Sequence, residues 1–253
     1  MRARRVSLEP TLLLFALVVF ASYAVQTVVG FGSMLICVTL GAQLLDIREV
    51  VTLAVPISIL QTGYIVVRHH GGIDRGLLFK RILPLMSVGT LIGFLAFANA
   101  AVGWLRMGFG VMILVLAARE IWMMRNAAAA AERPPPHRAV SIAAIFGAGL
   151  IHGVFATGGP LLVYAIGREG LDKHRFRSTL SAVWLALSLV LIGSFAVEGR
   201  YDAATGMKLL VLAPAIPLGI VVGEWLHHRV DERRFKGALW VLLIAAAVSL
   251  IVK

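Results

Sequence analysis

Residues 26–33 read Gln-Thr-Val-Val-Gly-Phe-Gly-Ser and interrupt a long apolar run in the first third of the chain. A second interruption, His-Gly-Val-Phe-Ala-Thr-Gly-Gly-Pro, lies at residues 152–160, so that Gln26 and His152 are 126 positions apart. Glycines and polar side chains in such a run are expected to break a membrane helix. Broken backbone at that depth persists only where protein buries it or where it lines a wet cavity.

The composition is that of a membrane protein. Of the 253 residues, 59% are hydrophobic and 15% are charged, and the mean hydropathy is +0.89. A soluble domain of this length cannot hide so much apolar surface. We therefore expect an all-α integral membrane protein, a single polytopic domain over residues 1–253 that passes repeatedly through the lipid bilayer of the cell inner membrane. The apolar runs are approximately 11–45, 49–67, 77–98, 102–123, 140–167, 178–197, 207–226 and 236–252.

These eight hydrophobic segments divide into two repeats of four, about 11–124 and 140–253. A Pro-x4-Gly-x3-Gly pattern begins at Pro84 in the third segment of the first repeat and at Pro214 in the third segment of the second. Its two glycines lie one helical turn apart, which lets helix backbones approach closely, and we expect them to serve packing. Segments 1 and 5, which contain the two interruptions, are expected to be broken or re-entrant.

The loop charges indicate inverted repeats. Lys and Arg mark cytoplasmic loops, and basic loops flank segment 5 on both sides, from Arg119 to Arg138 and from Arg168 to Arg177. If both loops are cytoplasmic, segment 5 enters the bilayer, breaks and returns, and each repeat has three crossings and one re-entrant hairpin. The basic residues among positions 1–5 oppose this symmetry, so whether segment 1 crosses or is re-entrant stays open.

Both breaks have the composition of an anion site. A helix that begins after a Gly-rich break presents free N–H groups and the positive end of its dipole, and proline suits its first turn. Two broken helices in corresponding positions point to a transporter site for a small anionic substrate near the membrane midplane. The predicted substrate-binding residues are Gln26, Thr27, Gly30, Gly32, Ser33, His152, Thr157, Gly158, Gly159 and Pro160.

His152 is the one histidine inside an apolar run, and an ionisable group at that depth is a functional hypothesis. Its ring could bind an anion as a cation, carry a coupled proton near neutral pH, or stay neutral and bond the broken backbone. The coupling ion is expected to be a proton or sodium. Further polar positions predicted to line a cavity are Ser58, Gln61, Thr62, Ser181, Trp184 and Ser188.

Several other functions are excluded or disfavoured. The net charge of +11 comes from basic residues in short loops, so no nucleic acid is expected as a partner. Cys37 is the only cysteine, and adjacent histidines such as His69-His70 do not share a helix face, so neither a metal nor a cofactor is predicted. No Gly-x-x-x-x-Gly-Lys-Ser/Thr pattern occurs, which excludes a P-loop.

Two alternatives to a transporter remain open. An intramembrane serine hydrolase would pair Ser33 with His152, although their near-equivalent repeat positions indicate duplication rather than an assembled catalytic site. A non-transporting membrane scaffold is the other alternative. We expect no catalytic residues and no enzyme activity, and a homodimer remains an open possibility.

Three motifs carry a family resemblance. They are Gln-Thr-x-x-Gly-Phe-Gly from Gln26, Thr-Gly-Gly-Pro-Leu-Leu from Thr157, and the paired Pro-x4-Gly-x3-Gly pattern. Together they resemble the TauE/SafE family of sulfite-exporter-like permeases over nearly the whole chain. The resemblance implies transport of a sulfur-containing anion such as sulfite, an organosulfonate or thiosulfate. Ala156 stands where the family frequently has glycine, and Ser33-Met34 replaces a more glycine-rich run.

Overall fold

The regular elements of the computed structural model are helices throughout the residues it describes, which are 10–29, 32–126, 136–167, 169–227, 229–230 and 232–252. A π-helical turn spans Leu78–Ile82, and a short 3-10 helix spans His70–Gly72. The helices are α1 (Pro10–Val29), α2 (Ser33–Gly41), α3 (Ile47–Arg68), α4 (Arg75–Asn99), α5 (Val102–Arg125), α6 (Arg138–Phe155), α7 (Gly159–Ile166), α8 (Lys173–Val197), α9 (Ala203–Leu212), α10 (Ala215–His227) and α11 (Glu232–Val252).

The predicted all-α membrane fold is confirmed. Within the described residues, seven helices are long and apolar enough to cross a membrane, with α9 and α10 together forming one of them. The eighth predicted segment corresponds to the shorter apolar stretch Gly237–Val252 of α11. Large apolar side chains such as Leu95, Val115 and Leu210 are more than half exposed, as expected of a surface that lipid covers.

The first predicted break separates α1 from α2. Gly32 precedes α2 with φ at 98°, in the left-handed region that glycine tolerates best. The far end of α2 comes back beside the beginning of α1, because a Cβ built on Gly41 would lie 2.6 Å from Cε2 of Phe15. The two helices therefore form a hairpin that begins and ends at the same end of the bundle.

The second break gives the same arrangement in α6 and α7. The Ser141 hydroxyl near the start of α6 donates to the carbonyl of Ala165 near the end of α7, at 3.1 Å. Gly158 lies against the middle of α6, where a Cβ would come within 2.1 Å of the Ala148 carbonyl oxygen. This is the geometry of a re-entrant segment 5, and the matching hairpin in segment 1 favours re-entry over crossing there as well.

Each hairpin packs on a long helix of the other half. Gly219 and Gly223 of α10 bring its backbone against α1, where a Cβ on either residue would lie 2.5 Å from a main-chain oxygen. Gly89 and Gly93 of α4 do the same against α6, with distances of 2.5 and 2.2 Å to the carbonyl oxygens there. The helix pairs α3–α8 and α5–α11 complete the packing. Inverted repeats stay a prediction, and this reciprocal packing is what we expect of them.

The charged residues separate to two ends of the bundle. We call the end with Arg68, Arg81, Arg138 and Arg175 the basic end; there Arg81 pairs with Glu169 at 2.5 Å and Arg175 with Asp74 at 3.0 Å. The opposite end, which we call the far end, has fewer described basic residues. Since Lys and Arg are enriched on the cytoplasmic side, the basic end is expected to face the cytoplasm. The described basic residues of the far end are Arg48, Arg106, Arg200 and Lys208.

The hairpin geometry predicts the sidedness of single cysteines in a Cys37→Ser chain. Arg138→Cys and Glu169→Cys should react with a membrane-impermeant maleimide only from the cytoplasmic side, because α7 returns to the end where α6 begins. Ala204→Cys, at the far end, should react only from the other side. Labelling of the first two cysteines from opposite sides of the membrane would show instead that segment 5 crosses.

The glycine contacts predict which helix surfaces tolerate bulk. Gly93→Leu and Gly223→Leu should each cost about 1–3 kcal/mol of stability or more, because the new side chain meets backbone that cannot move aside. Gly193→Leu in α8 is the matched control, since no atom lies within 4 Å of a Cβ built there. The measurement is the thermal midpoint of the purified protein in detergent. Equal midpoints for all three variants would contradict the packing assignment.

Candidate substrate site at the helix breaks

Gln26 organises the first break. Its Oε1 accepts a hydrogen bond of 2.9 Å from the backbone N–H of Ser33, the first residue of α2. Its Nε2 donates to Oε1 of Gln61 on α3, at 2.5 Å. The carboxamide thus satisfies an N–H group that the helix start leaves free, and it ties the hairpin to α3. The predicted site residue Gly30 lies outside the described residues.

The hydroxyl groups near the first break are turned to their own helices. Thr27 Oγ1 donates to the Tyr23 carbonyl at 2.8 Å, and Thr62 Oγ1 donates to the Ser58 carbonyl at 3.0 Å. The Ser58 hydroxyl is used in the same way, with a bond of 2.7 Å to Val55. Because a hydroxyl has a single proton to donate, these three residues offer no free donor in this conformation.

His152 marks the second break. The residue is only 2% exposed, and neither Nδ1 nor Nε2 has a hydrogen-bond partner. Its ring stacks on the Trp184 indole of α8, with ring centroids 5.4 Å apart and 22° between the planes. A buried polar group without a partner is costly, so the two nitrogens indicate a place where a ligand or a water molecule belongs.

The start of α7 adjoins the same place. Gly158 precedes α7 and has no side chain to cap it, and Pro160 follows in the first turn. A Cβ built on Gly159 would lie 3.8 Å from Cζ2 of Trp184, the residue that also stacks on His152. Thr157 is buried between the two helices at 6% exposure. One indole therefore touches both the histidine and the helix start.

Ala156 gives the turn between α6 and α7 its shape. It has φ at 54° and ψ at 26°, the left-handed conformation, and its N–H donates to the His152 carbonyl at 2.7 Å. A non-glycine residue there stores backbone strain of about 1–2 kcal/mol. The departure noted in the sequence thus falls where the backbone conformation itself favours glycine.

The two breaks are joined through one helix interface. Gln61 contacts the first break from α3, Trp184 contacts the second from α8, and α3 packs against α8. The predicted lining residues Ser181 and Ser188 are buried on α8. The polar residues of the breaks are thereby enclosed by protein, as unsatisfied backbone inside a membrane must be.

Two features escaped the sequence reasoning. The Tyr23 hydroxyl is buried in α1 without a hydrogen-bond partner, one helical turn before Gln26, a spacing that could have drawn notice. A cavity of about 380 Å³ opens at the far end, and Arg48, Arg200 and Lys208 are among its lining residues.

Comparison with known proteins agrees with this architecture. The model of the family "Sulfite exporter TauE/SafE" matches residues 14–250. The chain is 28% identical over 206 residues to "Probable inner membrane transporter protein TsaS" of Comamonas testosteroni, which covers 79% of this chain and 80% of that protein. No solved structure matches. With seven membrane-length helices in the part of the chain that the structure describes, the protein is a multi-pass inner-membrane permease. The family match over nearly the whole length shows that the chain belongs to the sulfite exporter TauE/SafE family.

Proposed function

We propose that this permease transports a small sulfur-containing anion, of the sulfite, organosulfonate or thiosulfate type, that binds at the two helix breaks. The observation that carries the proposal is the pair of unpartnered ring nitrogens of buried His152 beside the start of α7. The family description names sulfite export, which supports a sulfur oxyanion. The binding residues are those of the two hairpins, with Gln61 and Trp184 beside them.

The chemistry of the second break suits an anion. An oxyanion that leaves water needs donors to replace its hydration, and the N-terminus of α7 supplies backbone N–H groups and the positive end of a dipole. The His152 ring supplies one N–H when neutral and two when protonated. Trp184 forms one apolar wall, and the His152 ring is stacked against it.

The first break would complete the site by rearrangement. Gln26 Oε1 now accepts from the first N–H of α2, the position that an anion oxygen would take at such a helix start. When the amide turns away, that N–H and the Gln26 amide donors become available together. Because Gln26 also binds Gln61, this change would be felt on α3 and hence at the α3–α8 interface.

The coupling ion in this proposal is a proton carried by His152. A charged imidazolium inside the membrane needs a counter-charge nearby, and no described carboxylate lies against this ring. A bound anion would provide that charge, so that the anion and the proton favour each other by linkage. Transport of the two together follows from this mutual dependence.

The hydrolase alternative lacks its essential contact. A serine nucleophile needs a base within hydrogen-bonding reach, yet neither nitrogen of His152 has a partner. The backbone of Ser33 is bound to Gln26 instead. No observation in the described residues favours this alternative over transport.

Blocking the second break should abolish flux. Gly159→Leu places a side chain beside Trp184, where a Cβ meets only ordinary van der Waals contact, so the protein should still fold. We expect uptake of radiolabelled sulfite and of an organosulfonate into proteoliposomes to fall to background. Gly193→Leu is the matched control and should transport normally. Full flux by well-folded Gly159→Leu protein would refute the site, and absence of flux in the unmutated protein across the anion panel would refute the substrate class.

The pH dependence of transport tests the role of His152. A protonated imidazole ring attracts an anion. The concentration of a fully ionised sulfonate that half-saturates transport should therefore fall as the pH falls from about 8 to about 6, the interval around the ordinary histidine pKa. If one proton is linked to binding, the half-saturating concentration can change by no more than about tenfold per pH unit. His152→Gln keeps a hydrogen-bond donor but removes the group that gains the proton, so the half-saturating concentration should no longer depend on pH. An unchanged profile in this variant would place the coupling elsewhere.

A further inference from the structure

We propose that the cavity at the far end is a second, separate binding site for a tetrahedral oxyanion group. It lies at the opposite end of the protein from the basic loops and outside the helix breaks, so it stands whether or not the proposed function is correct. Among the described residues that line it, three are cationic and one is a carboxylate. The polar lining residues are Arg48, Glu49, Thr52, Arg200, Thr205 and Lys208.

Arg48 provides the uncompensated charge. Its guanidinium donates to the carbonyl oxygens of Ala98 and Ala100, while its Nε is buried and has no partner. Carbonyl oxygens satisfy N–H groups but carry no net charge, and no described carboxylate forms an ion pair with this arginine. A buried donor without an acceptor on a cation calls for an anion.

Aromatic rings hold two guanidinium groups at the cavity. The Arg200 guanidinium lies over the Phe97 ring at 5.1 Å and over the Phe195 ring at 5.0 Å, and Arg48 lies over Phe97 at 5.8 Å. Cation–π contact of this kind fixes a guanidinium plane without neutralising it. The shared ring of Phe97 thus keeps two positive charges together that would otherwise move apart in water.

The neighbouring carboxylates are already engaged. Glu49 pairs with Lys208 and Glu198 pairs with Arg200, each at 2.5 Å. Asp46 and Asp202 cap α3 and α9 by accepting from the backbone N–H groups of the first turns. The Thr205 N–H and hydroxyl hold the pKa of Asp202 below its ordinary value, so this carboxylate stays charged in its cap.

Size and charge together select the ligand class. Among the charged residues that line the cavity, three are cations and one is the carboxylate of Glu49. Lys208 and Arg200 each have a carboxylate partner, so Arg48 is the lining cation whose charge an oxyanion would offset. The cavity, of about 380 Å³, has room for a small oxyanion and several waters, since one water occupies about 30 Å³ of liquid. A site of this kind would raise the local concentration of anions at the far end of the permease. A free oxyanion and the phosphate of a lipid headgroup share this chemistry; we assign the site to the free oxyanion.

The test is equilibrium binding of radiolabelled inorganic sulfate to the purified full-length Gly159→Leu protein in detergent. This background keeps ligands from the second break, so a failure of the proposed function cannot be mistaken for a failure of this site. We expect saturable binding that Arg48→Gln and Lys208→Gln each weaken about tenfold, as for the loss of one charge-assisted hydrogen bond. Arg125→Gln, which removes an exposed cation at the basic end, is the matched control and should leave binding unchanged.

Four outcomes decide the proposal. Absence of saturable sulfate binding overturns the proposal. Equal binding by the Arg125→Gln control and by folded Lys208→Gln protein also overturns it. The Lys208 side chain is partly exposed, so its replacement should not prevent folding. A second arm repeats the measurement in nanodiscs. If sulfate still binds in nanodiscs rich in phosphatidylglycerol, the site is one for a free oxyanion. If sulfate binds in phosphatidylcholine nanodiscs but not in those rich in phosphatidylglycerol, the cavity takes a lipid phosphate and the assignment to a free oxyanion is overturned.

Discussion

The satisfaction of backbone polar groups inside lipid is the constraint on which this structure depends. A continuous helix satisfies its backbone polar groups by its own hydrogen bonds. However, α1 and α6 end within the bundle, and the chain turns back after each of them. The exposed N–H and C=O groups at these turns have to be covered by other helices. The cover comes from α10 and α4, whose glycines let one backbone lie directly against another. Close packing is therefore a requirement of the breaks and not an independent feature.

The same constraint explains why the halves exchange partners. Neither hairpin is long enough on both arms to bury its own turn, because α2 and α7 are only 9 and 8 residues long. Each hairpin instead rests on a long helix of the opposite half. A change in one hairpin is consequently transmitted to the other half, and α3 with α8 forms the interface through which both breaks are connected. Such coupled halves suit a permease that has to expose one site to two sides.

The polar groups of the two breaks differ in how far they are satisfied. At the first break, the Gln26 carboxamide accepts from the first N–H of α2 and donates to Gln61. At the second, His152 is packed by an aromatic ring yet lacks any partner for its nitrogens. Gln26 and His152 hold corresponding places in the two predicted repeats, but the Gln26 side chain has hydrogen-bond partners whereas the His152 ring has none. This asymmetry gives the second break the stronger claim to ligand contact.

Local properties of the sequence determined the class of protein, the two breaks and the glycine pairs. Each depends on hydropathy over about 20 residues or on a spacing of one helical turn, and such signals need no knowledge of distant residues. These local signals identify Gln26, His152 and the half-helix starts. Basic loops on both sides of segment 5 likewise predicted the hairpin that Ser141 and Ala165 now display.

Tertiary structure alone decided which of these residues face one another. The Gln26–Gln61 bond, the stacking of His152 on Trp184 and the cluster of Arg48 with Arg200 join residues 35, 32 and 152 positions apart. It also decided that the hydroxyls of Thr27, Ser58 and Thr62 serve their own helices, a choice set by side-chain rotation and neighbouring space. Contacts of this kind arise only when separate helices pack. Helix periodicity shows which residues share one face of a helix, but it does not show which other helix that face will contact.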